Sequence, residues 1–458
     1  MKSGTRHATR NAGCFRIRAW RLQMSSIPNQ SVVEKDRNSP DNYRWWLLAM
    51  LWLVCLANYA DRQAIFSVFP PLEHDLSLNL IQLGVIGSAF MWTYALFGPL
   101  AGWFCDCVSH KWTIIGALLF WSACTAATAF THSYSGLVIV RALGGLGEAF
   151  YFPAAMSMLA SFHGQNTRSR ALSLHQSAVY AGSIAGGGLA AWLAERHGWR
   201  YPFEIFGAFG AALVLLLLVG LKKPAASTAN ANADRSQETF WSGILALVAN
   251  PPALILSLVF IGANFVAAIF LSWIPVYLYQ QFHMSLTQAG FNGSAWLQIS
   301  SILGVVLGGV MADALSKRNA GGRVFAQAAG LLIGAPFLFL TGSTRSTATV
   351  LVAMTGFGAA KGIYDANIWA SLFDVVPMRH RGATVGLMNS LGWLGGGAAT
   401  LSIAKAAARF GLGPCLSATS LMYASLGVVL LWLGQRLSHR SNPPTDSSAR
   451  SASVQSGS

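Results

Sequence analysis

The chain has 458 residues, 53% of them hydrophobic and only 10% charged, with 31 Lys and Arg against 16 Asp and Glu for a net charge of +15. A soluble domain carries about 25% charged residues, so this composition excludes a typical soluble enzyme, and it excludes disorder and collagen-like repeats as well. Long charge-free stretches remain between the charges, and a bilayer is their natural solvent. The 16 Trp, 46 Gly and 16 Pro fit that solvent, because aromatic residues favour membrane interfaces and Gly and Pro are commoner in spanning helices than in soluble ones.

In chain order, residues 1–44 form a basic tail with six Lys or Arg and no acid before Glu34. It reads as a disordered cytoplasmic segment; a transit peptide, a contact with anionic lipid, or residues upstream of a later start at Met24 are the other readings. Apolar runs of about 20 residues, each long enough to cross a bilayer, follow at 45–69, 81–104, 112–131, 135–160, 171–193 and 202–221. These are spans 1 to 6. A polar stretch, 222–252, whose first part from Lys222 to Thr239 has no apolar period, reads as a cytoplasmic linker. Spans 7 to 12 follow at 253–278, 286–312, 323–341, 347–376, 382–406 and 412–435, and the Ser-rich end, 437–458, reads as a disordered tail. The expected fold is an all-α membrane protein with twelve transmembrane helices in two pseudo-symmetric six-helix bundles, 45–221 and 253–436.

Lys and Arg beside spanning segments are retained in the cytoplasm. With the N-terminus inside, 23 of them lie on the cytoplasmic side and five, Arg196, Arg200, Arg345, Lys405 and Arg409, on the other. Both termini are therefore expected in the cytoplasm, with the chain in an inner or plasma membrane. Positive charge placed between apolar segments argues against a nucleic-acid partner. The six cysteines fall mostly in or beside apolar runs; Cys105 and Cys107 form a C-x-C with no second pair at ligand spacing, so reduced thiols and no metal are expected.

The two halves carry the same punctuation. Gly102, Asp106, His110 and Lys111 after span 2 recur as Gly309, Asp313, Lys317 and Arg318 after span 8, at an offset of 207. Arg168 and Arg170 recur as Arg379 and Arg381, and the triplet Gly186–Gly188 recurs as Gly395–Gly397, at offsets of 211 and 209. Such a repeat marks internal duplication. The loop pattern G-x-x-x-D-x-x-x-[HKR]-[KR] resembles the signature gating loop of the major facilitator superfamily, with Cys107 and Ser109 where that loop usually has Arg and Gly. Asn58, Asp61 and Arg62 in span 1, with Arg141, Glu148, Phe152 and Pro153 in span 4, resemble the anion:cation symporters, which include hexuronate, galactonate, phthalate and sialic acid carriers. Spinster-type lipid and lysolipid carriers share the same charges. The resemblance covers about residues 45–436 and implies the major facilitator fold.

Ionised side chains at mid-bilayer cost about 2.5–3.5 kcal/mol on insertion scales, so those in the spans mark function. Asp61 and Arg62 are adjacent and point about 100° apart, so at most one faces a central cavity squarely. Arg141 and Glu148 are two helical turns apart and share a face. On the functional reading Asp61 and Glu148 carry protons. Arg62 is the stronger candidate for gripping an anion with two parallel hydrogen bonds, and Arg141 the stronger candidate for a structural role. The resemblance implies the same roles. The competing reading is a fixed ion-pair network between spans 1 and 4. Lys361 and Asp365 are expected to pair on one face of span 10, and Asp374 to anchor the following loop through Arg379 or Arg381. Tyr94, Gln176, Tyr180, Asn264, Asn367, Asn389 and Trp393 complete the candidate cavity lining.

There is no Walker-type, H-E-x-x-H or G-x-S-x-G sequence, and the glycine runs lack the Lys-Ser/Thr of a phosphate loop. No enzyme activity and no cofactor are expected. The reading is a monomeric, proton-coupled symporter of a small organic anion, a sugar acid or other carboxylate, working by alternating access. A spinster-like lipid or efflux carrier and a non-transporting, carrier-like receptor are the alternatives.

Overall fold

A computed structural model describes residues 41–222, 244–245 and 247–441. The expected tails, 1–44 and 437–458, and the expected linker, 222–252, lie largely outside the described residues. Among the described residues there is no strand. Span 1 is the helix Asp41–Ser67 continued by Phe69–Asp75; spans 2 and 3 are Leu80–Cys107 and His110–Ala129; span 4 is Tyr134–Ala149 continued by Tyr151–Phe162; spans 5 and 6 are Gln165–His197 and Tyr201–Gly220. Spans 7, 8 and 9 are Pro251–Phe282, Leu286–Ser316 and Gly322–Ser343. Span 10 is Thr347–Asp365 continued by Ile368–Val375, and spans 11 and 12 are Arg381–Phe410 and Leu412–Ser441.

Nine of these helical runs are apolar and long enough to cross a membrane by composition alone. Spans 1, 10 and 11 complete the twelve. They fall short because span 1 carries Asp61 and Arg62, span 10 carries Lys361 and Asp365, and span 11 is rich in glycine and alanine.

Three spans are interrupted. In span 4, Pro153 lacks an N–H and its ring presses on the carbonyl of Ala149, so the helix ends there and restarts at Tyr151. In span 1, Pro70 and Pro71 do the same just after Ser67. Span 10 has no proline at its break. There the Asn367 amide donates to Gly308 O of span 8 at 3.0 Å, while Gln327 of span 9 donates to Asn367 O at 2.8 Å, so neighbouring helices take up the freed backbone.

The duplication is visible in the packing. Spans 1 and 5, 2 and 4, and 3 and 6 pack against one another in the first bundle; spans 7 and 11, 8 and 10, and 9 and 12 repeat that pairing in the second. The bundles meet along two seams, span 2 with span 11 and span 5 with span 8. The glycine triplets serve both purposes. A Cβ on Gly186 would meet Ala60 O of span 1 at 2.2 Å, and one on Gly187 would meet Ser294 Oγ of span 8 at 2.3 Å.

Twelve crossings put the described ends, Asp41 and Ser441, on one face, the terminal face; the other is the far face. Toward the far face both seams are closed. Ser88 donates to Gly397 O at 2.6 Å, Gln63 donates to Leu271 O at 2.8 Å, and Glu195 of span 5 accepts from Thr287 N of span 8 at 2.8 Å. Along spans 2 and 11 the contacts run from Gly84 beside Ala404 to Gly98 beside Ser390, and Pro99 comes next. Beyond it, toward the terminal face, a Cβ on Gly102, Gly382 or Gly386 would have nothing within 4 Å, and the same holds for Gly309 on span 8.

Candidate functional site

The buried charges of the first bundle converge beside the break in span 4. Glu148 is one residue from the end of the first helix of that span and is wholly buried, and Asp61, Arg62 and Arg141 are 4%, 7% and 3% exposed. Arg62 Nε donates to Glu148 Oε2 at 2.5 Å. Asp61 points away from Arg62, toward span 3, where Thr125 Oγ1 donates to its Oδ2 at 2.8 Å. Asp61 Oδ1 and Glu148 Oε1, one oxygen of each carboxyl, are buried without a hydrogen-bond partner among the described residues. An ionised carboxyl only accepts, and a buried acceptor with no donor is costly, so these two oxygens suit a carboxyl that holds a proton.

Aromatic rings surround the guanidinium of Arg62. Its centre lies 4.4 Å from the Tyr94 ring, 4.7 Å from Tyr59, 5.0 Å from Trp393 and 5.3 Å from Phe90. Arg141, two turns before Glu148, lies 4.7 Å from the Phe90 ring as well. Ring faces suit guanidinium, which is weakly hydrated and stacks well. Nη1 of Arg62 and both Nε and Nη2 of Arg141 have no hydrogen-bond acceptor among the described residues. Buried donors of that kind are costly to leave unmade, so the site is built to receive acceptor oxygens. Both arginines thus keep donor atoms open toward the centre.

The other candidates divide. Tyr94 and Trp393, from opposite bundles, have ring centres 5.0 Å apart and join the arginine cage. Asn389 is half-buried one helical turn before Trp393. Tyr180 is half-buried on span 5, and Lys361 and Asp365 form the expected bridge within span 10. Asn264 bonds back to Phe260 O of its own helix at 2.9 Å, the Asn367 amide serves the break in span 10, and Gln176 is exposed on the terminal half of span 5. Asp374 takes both oxygens to Arg323 at 2.7 Å, the expected Arg381 donates instead to the carbonyls of Phe373 and Val376, and the side chain of Arg379 lies outside the described residues. The reason is that the last carbonyls of span 10 lack helical partners and attract the nearest cation.

In the loop after span 2, Lys111 donates to Leu218 O at 3.1 Å and Leu221 O at 2.5 Å, closing the end of span 6, and the side chain of Asp106 lies outside the described residues. Gly102 and Gly309 face open space, and Asp313, Lys317 and Arg318 are exposed. Tyr59, Phe90 and Thr125 were not singled out from the sequence. Only Tyr59, inside the Asn58–Asp61 motif, had a local signal.

Two pseudo-symmetric bundles with seams closed at one face and parted at the other, around a charged centre, define a membrane carrier rather than an enzyme. The chain belongs to the Major Facilitator Superfamily, whose family model matches residues 51–400. It is 28% identical over 408 residues to the probable galactarate/D-glucarate transporter of Escherichia coli strain K12, covering 81% of this chain and 88% of that one. It is 27% identical over 365 residues to protein spinster of Drosophila melanogaster, covering 76% of this chain and 59% of that one. Among solved structures, a crystal structure of a bacterial homolog of the human lysosomal transporter spinster superposes with a TM-score of 0.75 at 20% identity, covering 87% of this chain and 98% of the other, a likeness of fold.

Proposed function

We propose that the protein is a proton-coupled symporter of a small organic anion of the sugar-acid class, with the terminal face in the cytoplasm of an inner or plasma membrane and Gly102 and Gly309 marking the gating ends of spans 2 and 8. The observation that carries this reading is two buried carboxyls, Asp61 and Glu148, each with an unpartnered oxygen, beside two arginines with open donor edges. With one proton on the carboxyl pair, the four groups total one positive charge, which a single carboxylate neutralises. When that proton leaves, the pair turns back to the arginines and competes with the substrate for them, so proton and anion favour each other's binding. The names of relatives that carry galactarate and D-glucarate support the substrate class.

Uptake of radiolabelled sugar acids into proteoliposomes tests this. A pH gradient, acid on the far side, is expected to drive accumulation, and Asp61→Asn or Glu148→Gln is expected to abolish the gradient's effect while leaving exchange. Gradient-independent uptake that survives both substitutions sinks the coupling; stabilisation by an amphiphile in place of any sugar acid sinks the substrate class.

A further inference from the structure

The second bundle contains a partly buried ion pair, Lys361 with Asp365, that the mechanism above does not use. Ser133 and Ser346 cap the first helices of spans 4 and 10, each accepting from a backbone N–H three residues on. Counted from those caps, Glu148 and Lys361 occupy the same place, fifteen residues along. The duplication therefore sets Lys361 at the depth of Glu148, on the opposite wall of the centre. Gly358 and Gly362 lie against span 8, and Ala360 and Tyr364 lie against Gly330 of span 9, so Lys361, between those two faces, is turned to neither neighbour.

Lys361 donates to Asp365 within a single helix, so the pair ties no two elements together, unlike Arg62 with Glu148. Its side chains are 15% and 25% exposed, whereas Glu148 is sealed. Asp365 is the last residue before the break in span 10, where a short turn of the chain redirects the carboxylate. An accessible ammonium, balanced only by a neighbour on its own helix, can exchange that neighbour for an incoming anion.

We propose that Lys361 holds a second carboxylate of the substrate, so that the carrier takes linear diacids with one end on Arg62 and Arg141 and the other on Lys361, Asp365 yielding its cation. This rests on the sugar-acid reading and adds the number of charged ends the site accepts.

D-Galactonate and galactarate share a carbon skeleton oxidised at one end or at both, and they serve as probes. Binding and uptake of each are measured for the wild-type protein and for the double variant Lys361→Gln/Asp365→Asn, which removes the cation without stranding the acid. The double variant is expected to keep galactonate affinity within about threefold and to lose galactarate affinity by about tenfold or more, the scale of one charge-assisted hydrogen bond. Asp365→Asn alone is expected to tighten galactarate. An unchanged ratio of the two affinities in the double variant overturns the second subsite. So does a wild-type protein that takes galactonate but not galactarate. A wild-type protein that takes neither acid overturns the sugar-acid reading itself, and this one with it.

Discussion

Arg62 shows why a cation survives at this depth: one carboxylate and four ring faces replace the water it has lost, and one edge of the fork stays open for a ligand. Away from the centre, Asp75 at the far face accepts from Trp199 Nε1 at 2.9 Å and Arg200 Nη1 at 2.8 Å. The Trp199 indole and then the Arg200 guanidinium hold its carboxyl below the ordinary 3.8. A carboxyl held low stabilises the fold above its ordinary value and loses that contribution as pH falls to the folded one. Asp75→Asn is therefore expected to lower the thermal midpoint by about 2 °C or less between pH 8 and pH 5, because the group is largely exposed. The gap should close below about pH 4; a gap that persists there refutes the assignment. The four central charges are legible in sequence because an ion in an apolar run has no bland neighbours to hide among. Phe90 is not legible, since the chain has 26 Phe and nothing local distinguishes the one lying near both arginines.

Helices carry a different share of the information. The span count and the repeat follow from hydropathy and glycine spacing. The interruptions in spans 1 and 4 have prolines to announce them, while that in span 10 depends on Asn367 meeting Gly308 and Gln327 across space, which no local pattern records. The partner of Asp374 is missed for the same reason: Arg323 is distant in sequence and near only once spans 9 and 10 have packed. The glycine triplets are legible as close-packing devices, but not as seams between bundles. Gly187→Leu is expected to keep the far face from closing, since its Cβ alone would sit 2.7 Å from Gly290 O. Overpacking of about 1–3 kcal/mol shifts that equilibrium by about fivefold or more. Cysteine labelling from the far face should rise, and transport should fall accordingly; unchanged labelling would show that the seam is not the closure.

For the molecule as a whole, one pair of helices provides a closure at each face. Spans 2 and 11 run antiparallel, with Gly84 by Ala404, Gly87 by Thr400 and Gly98 by Ser390. Continuing that register sets Gly102 opposite Gly386, the two positions now without neighbours. Gly386→Leu is therefore expected to leave the thermal midpoint and substrate binding nearly unchanged but to cut turnover by about tenfold, because the added side chain meets span 2 only when the terminal face shuts. Equal loss of binding and turnover would place Gly386 outside the gate.

Pro99 stands at the point where those helices part, and it leaves the carbonyl of Ala95 without its helical donor. The last turns of span 2 can bend there toward span 11 while everything beyond Gly98 stays locked. The carrier thus has a route to an occluded intermediate, sealed at both ends with its cargo inside, that a rigid rod of the same length would deny it.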